Sequence, residues 1–381
     1  MKLMGLSEYR LRRYNFKLIF LIAAICTLGY LVLTSAMIND PDKDANLQKQ
    51  LIGIITGAVF MIGLSLLDYH IYFKLAPIIY IVVMALLGAV LVFGKTINYA
   101  TRWVDIAGIR IQPSEFAKIG LIIVFASYFH YFREKLNKPL YLFGALGLFA
   151  APALMILLEP DLSTTLVNVF VFLCMLYVAK LSYKWILGAL GVAVPSFAVF
   201  IFLLSKGLIL QEYQRNRILS WLFPSDYSAS GLTTQQDNSV LAISSGQLYG
   251  KGLNTTSFES VKNGNFLSEE NSDFIFSVVG EELGFVGSMV VLVLISLLVI
   301  ECFKIGMRAK DMGGRIIAVG MGCLIAFQTF VNIGVATGLL PNTGLPLPFM
   351  SAGVSSVFSL FIGMGVVLNI GLQRRSRDAD F

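Results

Sequence analysis

An ionised side chain at the middle of a bilayer costs roughly 2.5–3.5 kcal/mol, so charges set in apolar sequence mark places where pairing or chemistry compensates. In this chain they are Glu115 and Lys118 in QPSEFAKIG, Asp161 in EPDLSTTLV, Asp273 in SDFIFSVVGEELG, and Glu281 with Glu282 in the same stretch. Asp273 stands where a polar segment meets an apolar helix. Bordered by Phe274, Ile275 and Phe276, its carboxylate would be partly desolvated and a better proton acceptor; a plain helix cap is the alternative. Asp161 precedes a helix with Ser163, Thr164 and Thr165 close behind, as a cap or as the lining of a cleft. Glu115 and Lys118 are three apart in a helix that Pro113 can open, so they meet on one face, either as an internal pair or with Lys118 turned to a bound anion. SSGQLYGKGL, with Lys251, would serve as a turn or touch a phosphate. No GxxxxGKS, HExxH, paired CxxC or GxSxG element is present.

The elements that must position these groups follow from composition. Of 381 residues 56% are hydrophobic and 14% charged, with a mean hydropathy of +0.76. Soluble domains carry about 25% charged residues, so a water-soluble globule is excluded. A span needs about 20 apolar residues, and runs near 16–36, 51–67, 72–93, 115–132, 140–158, 163–181, 185–205, 284–302, 315–338 and 351–371 predict an all-α polytopic membrane protein of about ten transmembrane helices. The first run lacks a small-residue cleavage site and reads as a retained span.

With the N-terminus inside, 18 of the 29 Lys and Arg residues fall in cytoplasmic segments, which predicts N-in and C-in. The net charge of +6 thus reports orientation, not nucleic acid. A single membrane domain, 1–381, is expected, with a large extracellular loop at about 206–283 between helices 7 and 8. Its segment QEYQRNRILSWL, holding Arg215 and Arg217, has helical spacing and argues for an ordered, functional loop. The segment 94–114, with Trp103, is too polar to span and predicts a re-entrant or surface-lying element. NTGLPLPFMSAG, 342–353, is broken backbone that must line a cavity or be covered by protein. Cys26, Cys174, Cys302 and Cys323 read as small core residues, and His70 and His130 as interfacial side chains at cytoplasmic span ends.

TRWVDIAGIRIQPSEFAK, EPDLSTTLV, NRILSWLFP, SSGQLYGKGL, SDFIFSVVGEELG and LLPNTGLPLPFMSAG occur here in the order found in the shape, elongation, division and sporulation (SEDS) family. The chain resembles that family over nearly its whole length, and its RodA branch more than its FtsW branch. Where relatives often read PEQHTDFIF this chain reads SEENSDFIF, and where they read SYGGSS it has SAGVSS, yet Asp273 keeps its place.

The resemblance implies a ten-helix glycosyltransferase of the bacterial cytoplasmic membrane, with its active site on the outer face. It would polymerise lipid II into peptidoglycan strands for cell-wall elongation and release undecaprenyl pyrophosphate, beside a class B penicillin-binding protein transpeptidase. Asp273 corresponds to the family's essential aspartate, and Asp161, Glu115 and Lys118 to its other motif residues. Lys118, Arg217 or Lys251 would stabilise the leaving pyrophosphate. A divalent cation, Mg or Mn, is a candidate helper with Asp273 and Asp161 as its ligands. Two other classes stay open: a lipid-linked sugar flippase or transporter, which would need acidic groups nearer the midplane, and a non-catalytic scaffold for a transpeptidase, in which Asp273 would be dispensable.

Overall fold

Apolar runs joined by short polar turns leave the backbone one economical form in lipid, the helix, because every peptide group must be satisfied within its segment. The computed structural model describes residues 14–97, 100–106, 109–189, 191, 212–223, 234–254 and 271–373. Its elements are α1 (Phe16–Ala36), α2 (Lys43–Ser65), α3 (His70–Phe93), β1 (Lys95–Ile97), β2 (Ala100–Ile106), β3 (Ile109–Ile111), α4 (Pro113–Tyr131), α5 (Pro139–Leu158) and α6 (Leu162–Val178). There follow α7 (Glu212–Leu222), α8 (Thr234–Ser245), α9 (Ile275–Met307), α10 (Met312–Ala336) and α11 (Val354–Leu372).

Seven helices, α1, α2, α3, α5, α9, α10 and α11, are long and apolar enough to cross a membrane. Helix α4, nineteen residues, and α6, seventeen, complete nine of the ten expected spans; most of the run at 185–205 lies outside the described residues. The chain is a multi-pass membrane protein.

Burial separates the helices into two sets. Helices α4, α10 and α11 are buried along most of their length, whereas α2, α3 and α5 bury one stripe and turn residues such as Ile55, Ile81 and Phe143 outward, as lipid-facing spans do. Small residues let the inner helices approach closely: Gly57 of α2 lies under the Phe361 ring of α11, and Gly365 of α11 under the Met61 backbone of α2. At the end of the bundle opposite the β-strands, Asp311 caps α10 through the Gly314 N–H, and its Oδ2 accepts from Tyr69 Oη at 2.5 Å and faces His70 Nε2 at 2.8 Å. Burial opposes its ionisation, but these hydrogen bonds hold its carboxyl well below the usual range. His70, at the start of α3, thereby staples that helix to the α9–α10 turn.

Two features differ from the sequence expectation. The segment expected to lie re-entrant or on the surface carries strands β1, β2 and β3, paired antiparallel in that order, a strand character its mixed polarity did not reveal. Helix α9 begins at Ile275, earlier than 284, and breaks at Gly284, whose φ of 66° and ψ of −162° is a region essentially confined to glycine.

The break would leave buried backbone groups open, and residues 247–252 close them. Phe285 and Val286 N–H donate to the Gln247 and Leu248 carbonyls at 2.9 and 3.1 Å, while Lys251 and Gly252 N–H donate to the Glu281 and Glu282 carbonyls at 3.0 Å each. Lys251 Nζ reaches Glu281 Oε1 at 2.9 Å, and Ser35 Oγ donates to Glu282 Oε1. A Cβ on Gly284 would fall on the Gly250 backbone. We predict that Gly284→Ala lowers the unfolding temperature in detergent, with a cost of at least about 1–3 kcal/mol; an unchanged melting curve would show that the clasp is not required for the fold.

Candidate active site

At the end of the bundle that carries the strands, several chain segments converge on the loop from Thr337 to Gly353. The loop has little regular structure, and its backbone groups are taken up by neighbours. Asn332 Nδ2 of α10 donates to the carbonyls of Leu345 and Asp273 at 2.7 and 2.8 Å. Ser351 Oγ donates to the Ser272 carbonyl at 2.6 Å, and Ala352 N–H to the Asn271 carbonyl at 2.8 Å. From the other side Ser163 Oγ of α6 donates to the Thr343 carbonyl at 2.6 Å. The broken backbone of 342–353 is thus covered by protein.

Asp273 sits in the turn just before α9 and is partly exposed. It is not the helix cap, a position held by Phe274 without a side-chain bond. Gly344, at φ 71°, lies against the carboxylate, and a Cβ there would come within 3.1 Å of Asp273 Oδ2. Since Ser163 binds Thr343 and Asp273 adjoins Gly344, the segment after Asp161 and the segment before α9 meet the loop at consecutive residues.

Asp161 caps α6, accepting from Thr164 N at 3.1 Å and Thr164 Oγ1 at 2.9 Å, so the plainer reading of this residue is also correct. It is 2% exposed and has Arg102 of β2 at 3.7 Å, whose guanidinium also donates to the Pro160 carbonyl. The small sheet thereby delivers a cation to the N-terminal end of α6. Glu159, which the sequence reading passed over, is wholly buried and neither of its carboxylate oxygens has a hydrogen-bond partner. Burial, and then the neighbouring Asp161, pushes its carboxyl up to about 8 against the pull of Arg102. Its place as first residue of EPDL was the available signal, but its burial could not be read from the motif.

Glu115 and Lys118 lie on the first turns of α4, 2.7 Å apart and buried to 2% and 1% exposure. The pair is internal, as expected, and Lys118 is satisfied by its own helix. Helix α4 enters under the loop because Gln112 N–H donates to Ser355 Oγ, which itself donates to the Arg110 carbonyl.

Of the two cations expected from the polar loop, Arg217 lies half-buried on α7, which docks through Trp221 Nε1 donating to the Gly338 carbonyl at 3.2 Å. Helix α8 docks beside it, Gln236 Nε2 donating to the carbonyls of Val335 and Leu340 at 2.9 and 2.6 Å. The described parts of the loop are therefore ordered against the end of α10. Lys251 is held instead at the α9 break by Glu281, so contact with a phosphate would require this ion pair to open. Among the described residues no three His, Cys, Asp or Glu side chains converge as a metal site, and Asp161 is already engaged by Thr164 and Arg102.

The family model described as "Cell cycle protein", which spans FtsW, RodA and SpoVE, matches residues 16–376. The chain belongs to the SEDS family. It is 35% identical over 362 residues to the peptidoglycan glycosyltransferase MrdB of Escherichia coli (strain K12), covering 94% of this chain and 93% of that protein. It is 34% identical to the probable peptidoglycan glycosyltransferase FtsW of Bacillus subtilis (strain 168), covering 95% and 91%. Among solved structures, a chain from a peptidoglycan synthase complex, described for its coordination of polymerization and crosslinking, superposes with a TM-score of 0.77 at 29% identity, covering 94% of this chain and 97% of that one. The Thermus thermophilus rod shape determining protein RodA superposes at 0.69 and 29%, covering 95% and 98%. As a SEDS member the chain is a peptidoglycan glycosyltransferase of cell-wall synthesis.

Two outcomes follow from the geometry. Removing one partner of a buried ion pair costs about 3–5 kcal/mol, while removing both is much cheaper, so Glu115→Gln and Lys118→Met should each lower thermal stability strongly and the double variant should recover most of it; additive losses would contradict a mutually compensated pair. Glu159 has a raised folded-state pKa, so its contribution is fully present below the ordinary value of 4.5 and is lost as pH rises through about 8. Wild-type stability should therefore decline across that window and Glu159→Gln should flatten the decline, measured by melting temperature from pH 5 to 9.

Proposed function

We propose that this chain polymerises lipid II into glycan strands, with Asp273 as the general base. The observation that carries the assignment is a partly exposed Asp273 carboxylate at the strand-bearing end of the bundle, held against the backbone of Gly344 where no side chain stands before it. One carboxylate is what the reaction requires. Asp273 accepts the proton of the 4-hydroxyl of an incoming GlcNAc as that oxygen attacks the anomeric carbon of a lipid-linked MurNAc with inversion. The new glycosidic C–O bond forms as the bond to pyrophosphate breaks, and the electron pair leaves with undecaprenyl pyrophosphate.

Negative charge then grows on the leaving oxygen and calls for fixed cations near the site. Arg102, presented by β2 beside Asp161, has a buried Nε without a hydrogen-bond partner and is a candidate that the motif reading had not singled out. Arg217 on α7 is the second, reached through the docking of the polar loop on α10. Asp161 orients Arg102 and the first turn of α6. No step is assigned to a metal ion.

The site end of the bundle is the outer face in this reading, as the distribution of Lys and Arg supports. Cell-wall elongation is the pathway favoured by likeness to the RodA branch. Membrane lipid surrounds α2, α3 and α5, and grooves between spans hold the polyprenyl tails. The partner is a class B penicillin-binding protein, supported by likeness to a chain of a peptidoglycan synthase complex.

The test is glycan polymerisation by purified protein with lipid II, with and without the transpeptidase, comparing wild type with Asp273→Ala and Asp273→Asn of matched melting temperature. Long strands from wild type and at least a hundredfold fewer from both variants are expected, since general-base catalysis contributes about 100- to 10,000-fold. Equal strands from all three would remove Asp273 from the mechanism. No strands from any, with partner present, would favour transport or scaffolding.

A further inference from the structure

Below Asp161 and Asp273, four buried side chains carry polar atoms that meet no hydrogen-bond partner. Gln328 is open at both Nε2 and Oε1, Asn168 at Nδ2, Glu115 at Oε2 and Asn332 at Oδ1, and none of the four is more than 5% exposed. A buried polar group left unmade costs about 1–3 kcal/mol, so several gathered in one place suit a bound group better than a packed core.

Helix register shows that they are gathered. Ile122 of α4 and Met175 of α6 both lie against Gly320 of α10, and Met321 of α10 lies against Gly363 of α11 beside Ile119. Helices α4 and α6 run away from the site end and α10 runs toward it. Seven residues make two turns, about 10.5 Å, with a drift of only about 20°. One heptad toward the site takes Ile122 to Glu115, Met175 to Asn168 and Met321 to Gln328. The stacking of Phe170 on Phe327 at 4.2 Å fixes α6 and α10 at this same level. Asn332 follows one turn nearer the site on the same face of α10, with its Nδ2 on the Asp273 carbonyl.

We propose that this layer is a subsite for the N-acetylated sugar of a lipid-linked substrate, with Gln328 and Asn168 as its specificity-determining residues; the proposal rests on the glycosyltransferase reading above. The chemistry of the open atoms selects the ligand. Two amide N–H groups and three acceptor oxygens complement an acetamido group, which has one N–H and one C=O, together with hydroxyls that donate and accept. A pyrophosphate only accepts, so it would be repelled by Gln328 Oε1, Glu115 Oε2 and Asn332 Oδ1. Lys118, the cation beside Glu115, is already paired with it.

The experiment is steady-state polymerisation with native lipid II and with an analogue in which an acetamido group of the disaccharide is replaced by hydroxyl, using wild type, Gln328→Met and Asn168→Leu. Wild type should show KM at least tenfold higher for the analogue. Both variants should raise KM for native lipid II about tenfold with kcat little changed and leave the analogue's KM unmoved. Equal KM values for the two substrates in wild type would overturn the proposal without any variant, and so would equal losses on both substrates in the variants, which mark a layer that holds water or packing only. A wild type inactive on both substrates overturns the glycosyltransferase reading itself, a result distinct from either of these.

Discussion

A helix that breaks where its backbone is buried must find partners for its opened peptide groups, and the break of α9 at Gly284 is the point where this chain meets that requirement. Four hydrogen bonds to residues 247–252 close the gap, and the side chains of Lys251 and Ser35 neutralise or satisfy the two glutamates beside it. The short half-helix from Ile275 to Leu283 is thereby fixed at an angle a continuous helix could not adopt. Asp273 stands at its start. The position of the carboxylate at the site therefore depends on a clasp far down the same helix, and on a loop that comes from a different part of the chain.

The second constraint is the 337–353 loop, which no ladder supports. Asn332, Ser351 and Ser163 replace the missing ladder with side-chain bonds, and in doing so bring α6, α10 and the segment before α9 onto one loop. Charge is handled locally throughout. Glu115 pairs with Lys118 within a helix, Asp161 with Arg102 across a short sheet, and Glu281 with Lys251 across the clasp. Among the described residues, buried polar atoms without a hydrogen-bond partner include those of the Glu159 carboxyl, held up by burial, and the amides of Gln328 and Asn168. The bundle interior thus combines a low net charge with many hydrogen-bonding groups, a setting suited to sugars.

Much of this was legible from residue order. The apolar runs gave the spans, and the internal pair Glu115–Lys118 followed from a spacing of three behind a helix-opening proline. Local motifs could show only local structure. The start of α9 was placed nine residues late because FSVVGEEL reads as polar until Lys251 and Ser35, 30 and 247 residues from their glutamates, are seen to bury it. Lys251 was offered to a phosphate for the same reason. Arg102 lies in a quoted motif, but its approach to Asp161 depends on a sheet that the segment's mixed polarity did not reveal. Gln328 and Asn168 look like ordinary polar residues of two helices until the register of α4, α6 and α10 sets them in one layer.

The most direct test of the central claim, that Asp273 receives the proton of the attacking hydroxyl, is a structure of the Asp273→Asn protein with lipid II bound at the site. The account predicts an acceptor 4-hydroxyl within about 2.6–3.2 Å of the side chain at position 273, on the opposite side of the anomeric carbon from the pyrophosphate. A substrate whose hydroxyl is instead addressed by Asp161 or Glu159, with position 273 remote from the reacting atoms, would contradict it.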